Sequence, residues 1–379
     1  MFVMNMRRCP RGVIAAVLSI LFVESTLSRH DLELTRPEGI NLRMARFAAR
    51  THAPGRDLLC LGSSMVQGGI LPAVLDRHSG SKSYNLAVVA GTTSTSYYLL
   101  KEALNAGARP SAVVLDLHPV FILADNRDRN HFWSDSLGLI DLIDLAWTLN
   151  DSHLFSEILF TKSLRSLYHR DQLRTSLLGA LNGASSTHWY GNLVWMRNLN
   201  RNQGAAVSEN NPVYKGEVTP VYQSLWLSDE HRKGSSPSAE LYMHRLLKLA
   251  AAHGIRVYWV NMPLVPELEH EREAKGWNKD YDRFTRKFSS YANLVVLDAR
   301  NTGYPPSVFL DATHLASSGA NALSRDIAQV LSRDKIVNTK DERSRRVLLP
   351  PFQQRPIDVP FESLAHSMRA LLSPKKQSR

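Results

Sequence analysis

Three polar residues at opposite ends of the chain have the types and spacing for nucleophilic catalysis. Ser64 lies in Leu61-Gly62-Ser63-Ser64-Met65, and Asp311 and His314 lie in Leu310-Asp311-Ala312-Thr313-His314. A serine hydroxyl attacks well only when a base takes its proton, and the base needs a third group to orient it. Asp311 and His314 are three residues apart. On a loop entering a helix, that spacing lets both side chains approach one point. The chemistry this allows is acyl transfer: Ser64 attacks an ester carbonyl, His314 is general base and then general acid, and Asp311 orients His314. Ser63 is the alternative nucleophile; with Ser64 in that role, Ser63 is expected to point away and cap the turn.

The elements that must position these residues follow an α/β rhythm. Leu58 to Leu61 is a short apolar run ending at Gly62, the pattern of a buried parallel strand with a tight turn at its carboxyl end. Ligands of open α/β sheets bind at that end, where the next backbone N–H groups face a developing anion. Ser83–Ala87 and Pro110–Leu117 read as the second and third strands, with a helix from Tyr97 to Ala106 between them. Strand, helix, strand at this spacing is a right-handed parallel unit. After a long break come the helix Ala239–His253, the strand Ile255–Asn261, the helix Tyr281–Tyr291 and the strand Asn293–Asp298. The Asp311/His314 loop follows, then a helix to about Ser332 whose buried stripe is Leu323, Ile327, Val330 and Leu331. The expected fold is α/β: a flavodoxin-like three-layer sandwich with a five-stranded parallel sheet in the order 2-1-3-4-5 and a large, mostly helical insertion. Strands one and five are not neighbours in that order, so the two loops must lean across the carboxyl edge to meet.

Early Gly-x-Ser and late Asp-x-x-His, at the two ends of one α/β pattern, resemble the SGNH/GDSL hydrolase superfamily. The resemblance covers residues 57 to 118 and 238 to 332. Ser64 matches the family's nucleophile, with Ser63 in place of the usual Asp, and Asp311-x-x-His314 fits the last block. The Gly-Ser-Ser variant is similar to the membrane-associated esterase and acyl-transfer branches. Asn85-Leu-Ala-Val-Val-Ala-Gly91 resembles the second block, whose glycine N–H joins the oxyanion hole. Gly91 is matched to that glycine, one position late, with Ala90 in the in-register place. The third block's oxyanion-donating Asn has no counterpart in Asp116-Leu-His118-Pro119. His118 is the candidate donor there, and a histidine held by a local hydrogen bond is the other reading. The resemblance implies an extracytoplasmic serine esterase or O-acyltransferase without a cofactor, acting on an acylated glycan, a cell-envelope polymer or a lipid-linked substrate. The second reading is a catalytically inactive binding or scaffold component of an envelope polymer export complex. Strand one leads into no Gly-x-Gly-x-x-Gly, which argues against a dinucleotide site, and the Gly-x-Ser-x-Gly elbow is absent.

Of 379 residues, 44% are apolar, enough for a substantial core, and the net charge is +11. Residues 1–29 and 333–379 carry +3 and +6 of that charge, counted as 4 Lys/Arg against 1 acid and 11 against 5. The middle is near neutral, so the charge says little about the active site, and no nucleic-acid partner is expected. The basic ends read as solvated stretches or as contacts to anionic lipid or polymer. The two cysteines, Cys9 and Cys60, are not placed to pair, and no Cys/His cluster has zinc spacing. Arg7, Arg8 and Arg11 precede the apolar run Gly12–Val23, a signal-sequence pattern that leaves cleavage and an uncleaved membrane anchor both open. The expected segments are a signal or signal-anchor over 1–29, a connector over 30–56, and the α/β domain over 57–119 and 238–332. An insertion over 120–237 interrupts that domain as a lid or substrate platform, and a basic, proline-containing tail of weak order covers 333–379.

Overall fold

The computed structural model describes residues 11–29, 35–123, 137–164, 166, 169–181, 188–227, 236–336 and 345–373. Arg7, Arg8, Cys9 and Trp133 lie outside them. The chain forms two compact units, Met1–Ile40 with Ser134–Leu193, and Asn41–Trp133 with Val194–Arg379. The stretch read as one insertion therefore divides: Ser134–Leu193 groups with the N-terminal segment, and the parts before and after it group with the unit that holds the sheet.

In the first unit the helices Arg11–Arg29, Leu139–Leu149, Ser152–Ser163 and Arg170–Leu181 carry most of the structure. Asn150, in the left-handed conformation, closes Leu139–Leu149. Large apolar side chains stay exposed, among them Phe22, Ile140, Trp147 and Leu181. Among the described residues no helix is long and apolar enough to cross a membrane.

The second unit is built on one six-stranded, all-parallel sheet. Its strands are β1 (Leu58–Leu61), β2 (Ser83–Asn85), β3 (Ala112–Leu115), β4 (Arg256–Asn261), β5 (Leu294–Asp298) and β6 (Arg345–Leu348), in the order β2-β1-β3-β4-β5-β6. Every residue of β1, β3 and β5 is buried, as both-face coverage of a parallel sheet requires. That is why these strands read as unbroken apolar runs. The sixth strand corrects the expected five. It comes from the tail expected to be weakly ordered, and its residues alternate between half-buried and exposed. An edge strand reading Arg-Arg-Val-Leu shows no apolar run. Ion pairs secure it instead, Arg346 with Asp298 at the end of β5 and Arg345 with Asp334.

The Ser317–Ile336 helix packs against Pro72–Ser79, and Pro237–Ala252 packs against Thr93–Asn105. Leu323, Ile327, Val330 and Leu331 are buried together with Cys60, Val114, Val260 and Leu297 in one core. Cys60 is fully enclosed, and burial pushes its thiol well above the usual range, so it is not a nucleophile. The chain leaves β1 toward β2 on one side and leaves β3 toward β4 on the other. The loops after β1 and β3 thus diverge and open a crevice at the carboxyl edge.

Candidate active site

Ser64 is the first residue of a short helix, Ser64–Gly69, that starts directly after β1. Ser63 is its cap. The Ser63 hydroxyl accepts the Met65 N–H at 3.2 Å and donates to Asp116 Oδ2 at 2.6 Å, while the Ser63 N–H donates to Asp116 Oδ1 at 2.6 Å. Ser63 is completely buried, whereas Ser64 is partly exposed. The turn is possible because residue 62 is glycine: its φ is +128°, and a Cβ there would overlap the Asp116 carboxylate.

Ser64 Oγ lies 2.8 Å from His314 Nε2. The other ring nitrogen, Nδ1, lies 2.8 Å from Asp311 Oδ2 and 3.0 Å from Oδ1. Asp311 Oδ1 also accepts the N–H groups of Thr313 and His314, both at 2.9 Å. The loop is wound around its own carboxylate, the use of Asp that favours such turns. Burial alone would raise the Asp311 pKa. Hydrogen bonding and charge from His314, with the two loop N–H groups, outweigh it and bring the carboxyl down to about 2. Asp311 is therefore ionised at any working pH.

β1 and β5 are separated in the sheet by β3 and β4, and the connection after β5 spans that distance. The Ala299 N–H donates to Asn261 O at the end of β4, and Val265, beyond β4, donates its N–H to Ala312 O. The His314 loop is closed by Leu310 N–H to His314 O at 2.8 Å and Ala316 N–H to Val308 O at 2.9 Å.

The two expected oxyanion residues, Gly91 and His118, each make close contacts within the fold. The Gly91 N–H donates to Val88 O at 3.0 Å, and a Cβ at Gly91 would overlap Gly62 O. Its lack of a side chain serves close packing on the nucleophile turn, and its amide is already committed. Ala90, in the in-register place, has φ +55°, and among the described residues its N–H has no partner. The Ser64 N–H, at the first position of its helix, has none within the helix either. Ser64 and Ala90 are thus the available backbone donors. His118 is buried with its ring stacked on Phe121 (centroids 4.3 Å apart, 18° between planes) and tilted against Trp226 at 4.3 Å.

Asp116, Tyr214 and Tyr222 were not anticipated as site residues. The Tyr222 hydroxyl faces Asp311 and Thr313, and Tyr214 lies near Asp311; burial first and then the Asp311 charge push both phenols up. The segment that carries them is tied to the histidine loop. Ser317 N–H donates to Ser208 O at 3.0 Å, Ser318 Oγ donates to Asn210 Oδ1 at 2.9 Å, and Asn211 Nδ2 donates to Leu310 O at 3.3 Å. Residues 205–219 have no periodicity, so only their closeness in space marks them. Among the described residues no cluster of three His, Cys, Asp or Glu is placed to hold a metal ion.

No family model and no curated protein matches the chain. The geometry itself therefore carries the functional reading: a partly exposed hydroxyl, a base in contact with it, an ionised carboxylate on the base's far nitrogen, and two backbone donors at the same sheet edge.

Proposed function

We propose that this chain is an SGNH-type serine esterase or O-acyltransferase. The observation that carries the reading is the unbroken chain Ser64 Oγ, His314 Nε2, His314 Nδ1, Asp311, with contacts of 2.8 Å at both histidine nitrogens. As Ser64 attacks an ester carbonyl, its proton passes to His314 Nε2, and the Asp311 carboxylate stabilises the imidazolium. The carbonyl oxygen, now an anion, is met by the Ser64 and Ala90 N–H groups. His314 then gives its proton to the leaving alcohol, and water or a second alcohol takes the acyl group from Ser64. The strand order of β1 to β5 supports the flavodoxin-like arrangement that the resemblance implies. The substrate class, an acyl ester of a glycan or envelope polymer met outside the cytoplasm, rests on that same resemblance and on the basic, apolar N-terminal segment.

One observation favours the second reading, an inactive scaffold. The His118 ring, which stands where the resemblance places the third oxyanion donor, packs against Phe121 and Trp226. Labelling with a fluorophosphonate probe decides between the two. An enzyme labels at Ser64, and Ser64→Ala and His314→Ala each reduce labelling and ester turnover by roughly 10³-fold or more, with the double variant little worse because the two act as a unit. Labelling of the wild type no stronger than that of Ser64→Ala would leave the scaffold reading.

A further inference from the structure

The Asp116 carboxylate holds the nucleophile turn and also borders a small cavity with a mixed polar and apolar lining. On the turn side it receives both donors of Ser63, N–H and O–H, each at 2.6 Å. Asp116 lines a cavity of about 20 Å³ together with Asn261, Glu269, Arg272, Tyr281 and Arg300 and with apolar side chains such as Met262 and Leu264. That volume holds about one water molecule. Asp116 is 2% exposed, and an ionised carboxylate in such a place is costly unless it is paired. Ser63 holds it from the site and the His314 charge acts on it, while Glu269 and Arg272 from Pro266–Ala274, Tyr281 from Trp277–Arg286 and Arg300 after β5 line the same cavity.

The local backbone is arranged to admit this carboxylate. Gly62 has the one side chain that does not collide with it. Ser63, held at both its donors, passes the constraint on by accepting the Met65 N–H. Ser64 stands between these two fixed residues, so the direction of its hydroxyl and the aim of its N–H follow from the clamp. Charge-assisted bonds of this length are the strong class.

We propose that Asp116 is a positioning residue of the candidate triad: its carboxylate, held by both Ser63 donors, fixes Ser64 through Ser63. The proposal rests on the serine-enzyme reading above. Asp116 takes up no proton in the step; the Ser64 proton goes to His314 Nε2.

The test is Asp116→Asn, which keeps the volume. The Ser63 N–H and O–H donate to different oxygens of Asp116, and an amide puts an NH2 group in place of one of them, so one of the two bonds is lost as it stands. The rate of fluorophosphonate labelling at Ser64 and kcat for p-nitrophenyl acetate are expected to fall at least tenfold, with KM within twofold of wild type. The melting temperature is not expected to fall, because a neutral side chain removes a buried charge. Ser63→Ala, which leaves the acid in place but removes one donor, is expected to give a similar loss of rate, and the double variant to be no worse than the more affected single variant. A merely structural role would lower stability and rate together. Asp116→Asn labelling as fast as wild type, or slowing only in step with a lower melting temperature, would overturn the proposal alone. A wild-type chain that does not label would overturn the enzyme reading and the proposal with it.

Discussion

Two carboxylates at this site are shifted in opposite directions, and the difference is measurable. Burial, only partly offset by the Ser63 hydrogen bonds, raises Asp116 from 3.8 to about 6, whereas Asp311 is lowered from 3.8 to about 2. A raised carboxylate binds its proton more tightly in the folded state, so stability falls as pH rises from about 4 to 6. For Asp116 that loss is about 3 kcal/mol. Asp311 works the other way: its contribution, about 1–2 kcal/mol after solvent screening, is present above pH 4 and lost as pH falls toward 2. Thermal denaturation from pH 4 to 7 should therefore show Asp116→Asn gaining on wild type as pH rises. Asp326, also raised to about 6 by burial, titrates in the same window but cancels in the difference. A constant gap across that range would refute the Asp116 titration. That Ser64, Asp311 and His314 come together was legible because their residue types and the three-residue spacing favour such a contact. Asp116 was not, because its partner lies 53 positions earlier. Gly91 misled for a related reason: glycine type signals a close approach, and here the approach is to Gly62 rather than to a substrate.

At the scale of elements, the strand-to-helix turn after β1 is the most constrained piece. Gly62→Ala would place a Cβ onto the Asp116 carboxylate at a φ of +128°. The left-handed conformation alone costs roughly 1–2 kcal/mol for an alanine, and the overlap adds to it. The expected outcome is a fall in melting temperature of several degrees together with loss of Ser64 labelling. An alanine variant with wild-type stability and reactivity would show that the turn is not held as described. A milder effect is expected at the returning segment 205–227. Tyr222→Phe removes the hydroxyl that faces Asp311 and Thr313, so kcat should drop by less than tenfold with stability unchanged, read by ester turnover and thermal melting. The strands β1, β3, β4 and β5 were legible as apolar runs because helices cover both faces of a parallel sheet. Residues 205–219 were opaque because their order comes from contacts with the Asp311/His314 loop, and contacts leave no period in a sequence.

For the whole molecule, the division into two units changes what the long middle stretch means. Ser134–Leu193 belongs with the N-terminal segment and its exposed apolar helix Arg11–Arg29. If that segment directs export, alkaline phosphatase fused after residue 60 should be active and a cytoplasmic reporter at the same point silent; the reverse pattern would argue against export. The tail has the larger structural consequence. Pro350, Pro351, Pro356 and Pro360 made it read as weakly ordered, since proline cannot donate to a ladder. Its order is imposed by distant partners. Leu349 N–H donates to Asp298 O at 2.9 Å, Phe352 N–H donates to Thr302 O at 2.6 Å, and the Phe352 ring lies 4.7 Å from that of Tyr304. Farther along, Glu362 pairs with Arg197 at 2.6 Å, its carbonyl accepts from Asn198 and Asn202, and Ser363 donates to Glu209 at 2.6 Å. The tail thus ties the edge of the sheet at β5 to residues 197–209, which lead into the segment holding the histidine loop. Ending the chain after Ile336 would expose the β5 edge, leave Asp298 without Arg346 and release residues 197–209 from Glu362. We expect the melting temperature to fall by about 10 °C or more, the scale of several kcal/mol for a unit of this size, and Ser64 labelling to fall with it. Arg346→Ala, which removes only one anchor of β6, should cost a small part of that. A truncated chain that melts within a few degrees of wild type and still labels would mean that the sheet and the site stand without their sixth strand.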